Sequence, residues 1–404
     1  MFSDVNSVPT RRFGRTEINM PILSIGGMRF QQSWKDLAPE DILDNSQTNL
    51  EEILQFAAKN GFHHLETARH YGTSELQLGW GKRRIIDCKR IIQTKIPPRE
   101  DPTEFEEELQ VSFSNLQCKK LHLLAIHGLN LPEHLEQTLR PGGCMDVVRR
   151  WQNKGLIDHV GFSTHGETDL IVKAIETNEF DYVNLHWYFI FQDNEPALSA
   201  AAKYDLGVFV ISPTDKGGHL HSPSDKLLEL CLPLHPIVFN DLFCLSDHRV
   251  HTLSVGISSI QDFNLHLQAV NLFDQRHCFL PEITKRLSNA ANASLGEEWM
   301  NTWKDGLPSW KQTPGHINIP VLMWLYTLYK SWDMDAYVQA RYGLLGNGSH
   351  WFPGANSNCL DGEVSEDSIR LVLRLSPWPN KIIERLRELR ERYKGSSLTP
   401  LSSN

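Results

Sequence analysis

The sequence predicts an α/β fold: a closed (β/α)8 TIM barrel followed by a small all-helical C-terminal domain. Three observations carry this. Eight short β-branched runs alternate with longer amphipathic stretches in the first part of the chain. No GxGxxG follows the first run, and eight strand-then-helix units favour closure over an open doubly wound sheet. Beyond Phe273 the strand-like runs stop and helical stretches take over.

The predicted strands are Ile22 to Ile25, His63 to Glu66, Arg90 to Ile96, Leu121 to Ile126, His159 to Phe162, Tyr182 to Leu185, Val208 to Ile211 and Leu253 to Val255. Helices lie between most of them. In Asn49 to Lys59, Leu50, Ile53, Leu54 and Phe56-Ala57 recur near the helical period. Thr103 to Leu116 and Leu135 to Lys154 behave likewise. Later helices are expected at Leu280 to Asn292, Pro320 to Lys330, Met334 to Gly343 and Asn380 to Tyr393. The pieces between them, Lys304 to Gly315 and Leu345 to Gly362, are rich in turn formers. The expected division is a barrel over 1–275, a helical domain over 276–394 and a disordered polar tail over 395–404. No repeat of solenoid period occurs.

The 404 residues can bury a sizeable core without disulfide staples. A net charge of −9 argues against a nucleic-acid or anionic-membrane surface. The basic runs Lys82-Arg83-Arg84 and Arg387 to Lys394 read as solvated helix faces. The seven cysteines have irregular spacing and no CxxC pair, which argues against a disulfide framework and for a reducing compartment. The N-terminus lacks an apolar signal core, and no apolar run is long enough to span a bilayer. A cytoplasmic protein is expected, with no nucleic-acid or membrane partner; the sequence identifies no protein partner.

Barrel active sites form at the C-terminal ends of the strands. Glu66 ends the second strand, Lys95 the third and His127 the fourth, with Tyr71 one short loop beyond Glu66. These residue types suit proton transfer coupled to hydride transfer. A hydride arriving at a carbonyl carbon leaves an alkoxide, which needs a proton. A free phenol, with a reference pKa of ~10, is too weak a donor near neutrality. A neighbouring Lys95 ammonium would lower the Tyr71 pKa, Glu66 would orient Lys95, and His127 could direct the substrate oxygen. Each residue alone has a plainer structural role; four together, at three consecutive strand ends and the short loop after the first, favour the chemical one.

The segment Glu66-Thr67-Ala68-Arg69-His70-Tyr71-Gly72-Thr73-Ser74-Glu75 resembles the aldo-keto reductase pattern D-T-A-x-x-Y-G-x-S/N-E. The resemblance runs from Arg12-Phe13-Gly14-Arg15-Thr16 to about Val270. It implies that Tyr71 is the general acid/base, Lys95 its pKa-lowering partner and His127 the substrate-orienting group. Glu66 replaces the family's Asp. Charge is kept, so the Lys95 contact is expected to survive in altered geometry, with reduced activity on ordinary aldehydes.

The same resemblance implies an NADP(H) site, with NAD(H) an open alternative. Gly26-Gly27-Met28 resembles the first contact loop, supplying Gly27 and Met28. Gly161-Phe162-Ser163-Thr164 resembles the carboxamide-holding element, supplying Ser163 and Thr164, and Asn184 stands where Gln or Asn is usual. Val210-Ile211-Ser212-Pro213 resembles the seventh-strand end that meets the pyrophosphate, through Ser212 and the following Gly217. Gly256-Ile257-Ser258-Ser259 resembles the G-x-S-S phosphate loop, supplying Gly256, Ser258 and Ser259. Asp262 stands where a neutral or basic residue is usual, with no Arg nearby in sequence.

After the barrel, Pro314-Gly315-His316-Ile317-Asn318-Ile319-Pro320 resembles a piece of the ferredoxin-like extension of one family branch. The branch's cysteine steps are occupied here by Lys304, Leu307, Trp310 and Thr313, which offer no thiolate. No iron-sulfur cluster and no metal are expected. Trp303, Trp310, Trp324, Trp332 and Trp351 are expected to fill that space as core, or else to form a partner or substrate surface. The expected function is oxidoreduction of a small carbonyl or alcohol by hydride transfer. A nicotinamide-binding sensor or regulatory subunit with little turnover is the alternative, and a partner-docking scaffold a third.

Overall fold

Each of the eight β-branched runs becomes a parallel strand. The structure, a computed structural model, describes residues 7–84, 90–360 and 362–396. Residues 1–6, Cys88 and the tail from 397 therefore lie outside the described residues, as do the side chains of Lys82-Arg83-Arg84. Two short strands come first: β1 (Thr10–Arg12) and β2 (Asn19–Pro21) pair antiparallel. Then follow β3 (Leu23–Gly26), β4 (His64–Glu66), β5 (Ile91–Ile96), β6 (Leu121–Ile126), β7 (Ile157–Ser163), β8 (Tyr182–Leu185), β9 (Gly207–Ile211) and β10 (Thr252–Gly256). These eight close into a barrel in sequence order, β10 pairing with both β9 and β3.

The helices are α1 (Asp44–Lys59), α2 (Ser74–Arg84), α3 (Pro102–Leu116), α4 (Pro132–Leu139), α5 (Cys144–Asn153), α6 (Thr168–Glu176), α7 (Glu195–Lys203), α8 (Asp225–Cys231), α9 (Pro236–Ser246) and α10 (Phe263–Leu272), then α11 (Arg276–Leu295), α12 (Glu297–Thr302), α13 (Ile319–Trp332), α14 (Asp335–Leu344), α15 (Glu366–Val372) and α16 (Pro379–Tyr393). The single helix expected over Leu135 to Lys154 is two. Pro141 brings no backbone N–H, and Gly142 takes a left-handed φ of 77°, so the chain breaks between α4 and α5. α3 starts where Asp101 accepts from Thr103 N at 2.8 Å, an N-cap.

The chain divides into two compact units: Met1–Gly217 with Ile237–Arg276, and Gly218–Pro236 with His277–Asn404. In the first, Phe13 and Met20 of the N-terminal hairpin pack on Leu123, Ala125, Tyr182 and Phe209. Phe13 lies against Gly207, the first residue of β9, so the hairpin plugs the N-terminal end of the barrel. Burying Phe13 is worth about 2–3 kcal/mol, and it leaves the opposite end for the site. The second unit is helical, with α13 packed on α14 and α16. Trp303 and Trp332 are buried there, whereas Trp310, Trp324 and Trp351 are partly exposed. The six described cysteines carry free thiols. Among the described residues no single helix is long and apolar enough to cross a membrane.

Candidate active site

Strand register brings the polar strand ends together. Glu66 of β4 pairs with Gln93 of β5, and Lys95 lies two residues on, so the pleat turns Glu66 and Lys95 to the same face. Lys95 Nζ donates to the Thr67 carbonyl at 2.7 Å and to the Tyr71 hydroxyl at 3.3 Å, and it pairs closely with Glu66 Oε2. The ammonium also lies 4.6 Å from the Tyr71 ring centroid. The His127 ring stands edge-on to Tyr71 with centroids 5.7 Å apart, and Trp34 does the same from the other loop at 6.4 Å. Tyr71, Lys95, Glu66 and His127 thus form one cluster at the barrel's C-terminal mouth.

The longer Glu66 is accommodated by its neighbours. Its second oxygen, Oε1, accepts from Ser254 Oγ of β10 at 2.9 Å. A Cβ on Gly26, its register partner on β3, would come within 2.7 Å of Ser254 Oγ and 3.3 Å of Glu66 Oε1. Glycine at 26 and serine at 254 therefore make the room that the extra methylene needs. The lysine contact is kept with both carboxylate oxygens partnered.

Electrostatics correct one expectation. Burial pushes the Tyr71 phenol up; Lys95 pulls it down, but burial wins, so the net shift is upward rather than downward. Burial alone would lower Lys95, yet the Glu66 carboxylate overrides it and holds the ammonium above its ordinary range. His127 is held well below the usual histidine range, first by burial and then by the positive charge of Lys95. The cluster at neutral pH is therefore a protonated phenol, a charged lysine and a neutral imidazole.

A second feature lies on β8. Asn184 of β8 is fully buried, and neither its amide nitrogen nor its oxygen meets a hydrogen-bonding partner. Such a pair of orphaned groups suits a carboxamide, which offers the complementary donor and acceptor. Ser163, its register partner at the end of β7, accepts from Gly128 N at 3.1 Å. The Thr164 hydroxyl is committed elsewhere: it donates to the Leu129 carbonyl at 2.7 Å and accepts from Gly166 N. Gly27 and Met28 form a short 3-10 turn after β3. Ser212 follows β9 with a left-handed φ of 49°, and Gly217 packs against the Pro213 carbonyl.

At the β10 end, Gly256 closes the strand and Ser258 and Ser259 follow it. Both seryl N–H groups and the Ser258 hydroxyl donate to Asp262 Oδ2, at 2.7–3.0 Å. Arg29, from the turn after β3, lies against Gly256, whose added Cβ would meet its Nε at 2.9 Å. Arg29 therefore reaches a loop that is remote from it in sequence. Ser254, Trp34 and Arg29 were not singled out from sequence; Ser254 alone had a readable signal, as a polar residue inside an apolar strand.

A family model described as the aldo/keto reductase family matches residues 22–226. Comparison with curated proteins returned no match. Among solved structures, the chain is similar to aldo-keto reductase AKR11C1 from Bacillus halodurans in its holo form. That pair shares 18% identity over 69% of this chain and 96% of the other, with a TM-score of 0.56. A protein from Pseudomonas aeruginosa assigned to the same family is 17% identical over 69% of this chain and 100% of its own, with a TM-score of 0.53. The thermostable aldo-keto reductase Tm1743, solved with the inhibitor epalrestat, is 18% identical over 68% of this chain and 99% of its own, with a TM-score of 0.55. At these identities the structures speak to the fold.

Proposed function

The chain belongs to the aldo/keto reductase family, and from that premise we propose that it interconverts a small-molecule carbonyl and an alcohol with Tyr71 as general acid/base. The observation that carries the reading is the convergence of Tyr71, Lys95, Glu66 and His127 at one strand-end mouth. The family uses nicotinamide cofactors, and a bound nicotinamide supplies or accepts the hydride. The resemblance implies NADP(H) and leaves NAD(H) open. Asn184 and Ser163 would hold the carboxamide, and Gly27, Met28, Ser212, Gly217 and Gly256 would line the rest of the nucleotide's path.

The residues divide the work. Tyr71, kept protonated by burial, donates its proton to the oxygen of the carbonyl as that oxygen gains charge. His127, neutral, offers one N–H to the same oxygen and sets its direction. Lys95, 3.3 Å from the phenol oxygen, stabilises the phenolate that donation leaves behind. Glu66 fixes the lysine and keeps it charged. In the oxidative direction the same groups act in reverse. Trp34 forms one wall beside Tyr71 and favours substrates with an apolar portion.

The test is binding followed by turnover. Nucleotide binding is read from intrinsic fluorescence, and cofactor oxidation is followed with a panel of aldehydes and ketones. Tyr71→Phe is expected to lower turnover by about 10²-fold or more while nucleotide affinity stays the same. Unchanged turnover in that variant would overturn the assigned role.

For the C-terminal part we propose a ferredoxin-like helical domain over 276–394 that has no cluster. Support comes from Lys304, Leu307, Trp310 and Thr313 at the cysteine steps. Anaerobically purified protein is expected to contain no iron and show no iron-sulfur absorbance; a brown, iron-containing sample would overturn this. A cytoplasmic location fits the cysteine pattern.

A further inference from the structure

The loop after β10 has donors that would suit a phosphate: two consecutive backbone N–H groups and a hydroxyl at the start of a helical segment. Here they are already used. Ser258 N, Ser258 Oγ and Ser259 N all converge on one oxygen of Asp262, four and three residues downstream. The Ser258 carbonyl is held as well, accepting from Asn49 Nδ2 of α1 at 2.9 Å. Burial favours the neutral acid, but these hydrogen bonds keep the Asp262 carboxyl below its usual range, so it is an anion at neutral pH. The chain thus places its own carboxylate on the donors that a phosphate would use.

Resting on the nicotinamide reading above, we propose that Asp262 makes this protein select NAD(H) over NADP(H). Gly256-Ile257-Ser258-Ser259 resembles the G-x-S-S phosphate loop, and on that resemblance the adenosine end of the dinucleotide would be received here. An adenosine 2′-phosphate arriving there meets a carboxylate, and the loop donors are spent. Both effects oppose it, the first by like-charge repulsion and the second by leaving phosphate oxygens unpaired. An unphosphorylated ribose has neither problem, since its hydroxyls can donate to Asp262. Arg29, lying against Gly256, favours phosphate in general. The selection is therefore set by the balance between this cation and Asp262, and Asp262 holds the loop's donors.

The experiment is a fluorescence titration of the full-length protein with NADH and with NADPH, on wild type, Asp262→Asn and Asp262→Ser. Wild type is expected to bind NADH at least about tenfold more tightly than NADPH. Asp262→Asn keeps an acceptor for the loop donors and removes the charge. It is expected to tighten NADPH by about tenfold while NADH stays within about threefold. Asp262→Ser, a shorter neutral residue, should narrow the preference in the same direction. Equal binding of the two nucleotides by wild type, or a preference for NADPH, overturns the proposal and leaves the nicotinamide reading intact. A wild-type preference for NADH that both variants retain also overturns it, because the discrimination then lies elsewhere. Binding of neither nucleotide by wild type sinks the nicotinamide reading and this proposal with it.

Discussion

Glu66→Gln isolates the charge of the buried pair. Lys95 and Glu66 are 2% and 6% exposed at the side chain, so neither ion has bulk water to fall back on. The substitution keeps volume and one acceptor oxygen for Lys95, and its amide NH2 can donate to Ser254 Oγ instead, but it leaves the ammonium without its counter-charge. Breaking a buried pair from one side costs about 3–5 kcal/mol. The pH dependence gives a sharper check. In the wild type Lys95 is held above its ordinary value, so its contribution is fully present below the unfolded pKa of ~10.4 and is lost as pH rises through the folded one. In Glu66→Gln the carboxylate that opposes burial most strongly is gone and only Tyr71 remains against it, so the folded pKa is expected to drop below the unfolded one. Between those two values the unfolded chain binds the extra proton, so the variant gains stability as pH rises. The deficit between the proteins is therefore largest near pH 7 and narrower at pH 10. The assay is urea unfolding at both pH values, followed by circular dichroism and tryptophan fluorescence, with coincident transitions required. A loss under about 1 kcal/mol at pH 7, or an equal deficit at both pH values, refutes the reasoning.

Asn184→Leu removes two buried groups that have no partner, so the free protein is expected to lose no stability. Its nucleotide affinity should fall by about tenfold or more, measured by the same fluorescence titration; retained affinity would mean that Asn184 does not face the carboxamide. His64, buried in the barrel with Nδ1 2.7 Å from Ser24 Oγ, is pushed down to about 3, chiefly by burial and then by the charge of Lys95. Its folded pKa lies below the unfolded value of ~6.5, so stability drains as pH falls through that window, by up to ~1.4 kcal/mol per pH unit. His64→Gln should remove that contribution, so stability falls less between pH 6 and pH 5 than in the wild type. An unchanged acid slope would show that His64 does not control it.

The barrel was legible because parallel strands buried on both faces read as short β-branched runs, and all eight runs became barrel strands within two residues of their expected ends. The elements that were missed lack such a signal. β1 and β2 are three residues each and carry Arg11, Arg12 and Asn19, so no apolar run marks them. α12 and α15, at six and seven residues, are too short for helical periodicity to stand out. The α4/α5 break could have been read from Pro141-Gly142-Gly143; the apolar periodicity on either side outweighed it.

The site divides along the same physical line. Glu66, Lys95 and His127 could be picked out because strand ends converge in a barrel whatever their separation in sequence. Ser254 could not be tied to Glu66, since that contact spans 188 residues and depends on β10 closing against β3. Arg29 and Gly256 meet through the same closure. Asp262 was visible as a charge in the wrong place, but its sign alone does not tell that it closes onto Ser258 and Ser259 and consumes their donors. Tyr71 shows most plainly what residue types leave out. A lysine beside a phenol argues for a lowered pKa, and that attraction is present at 3.3 Å. Whether it wins depends on how much water the phenol keeps, which is set by Trp34, His127 and the barrel mouth together. With burial winning, Lys95 does not make Tyr71 a base in waiting. It makes the phenolate tolerable once the proton has gone, and the resting group is an acid.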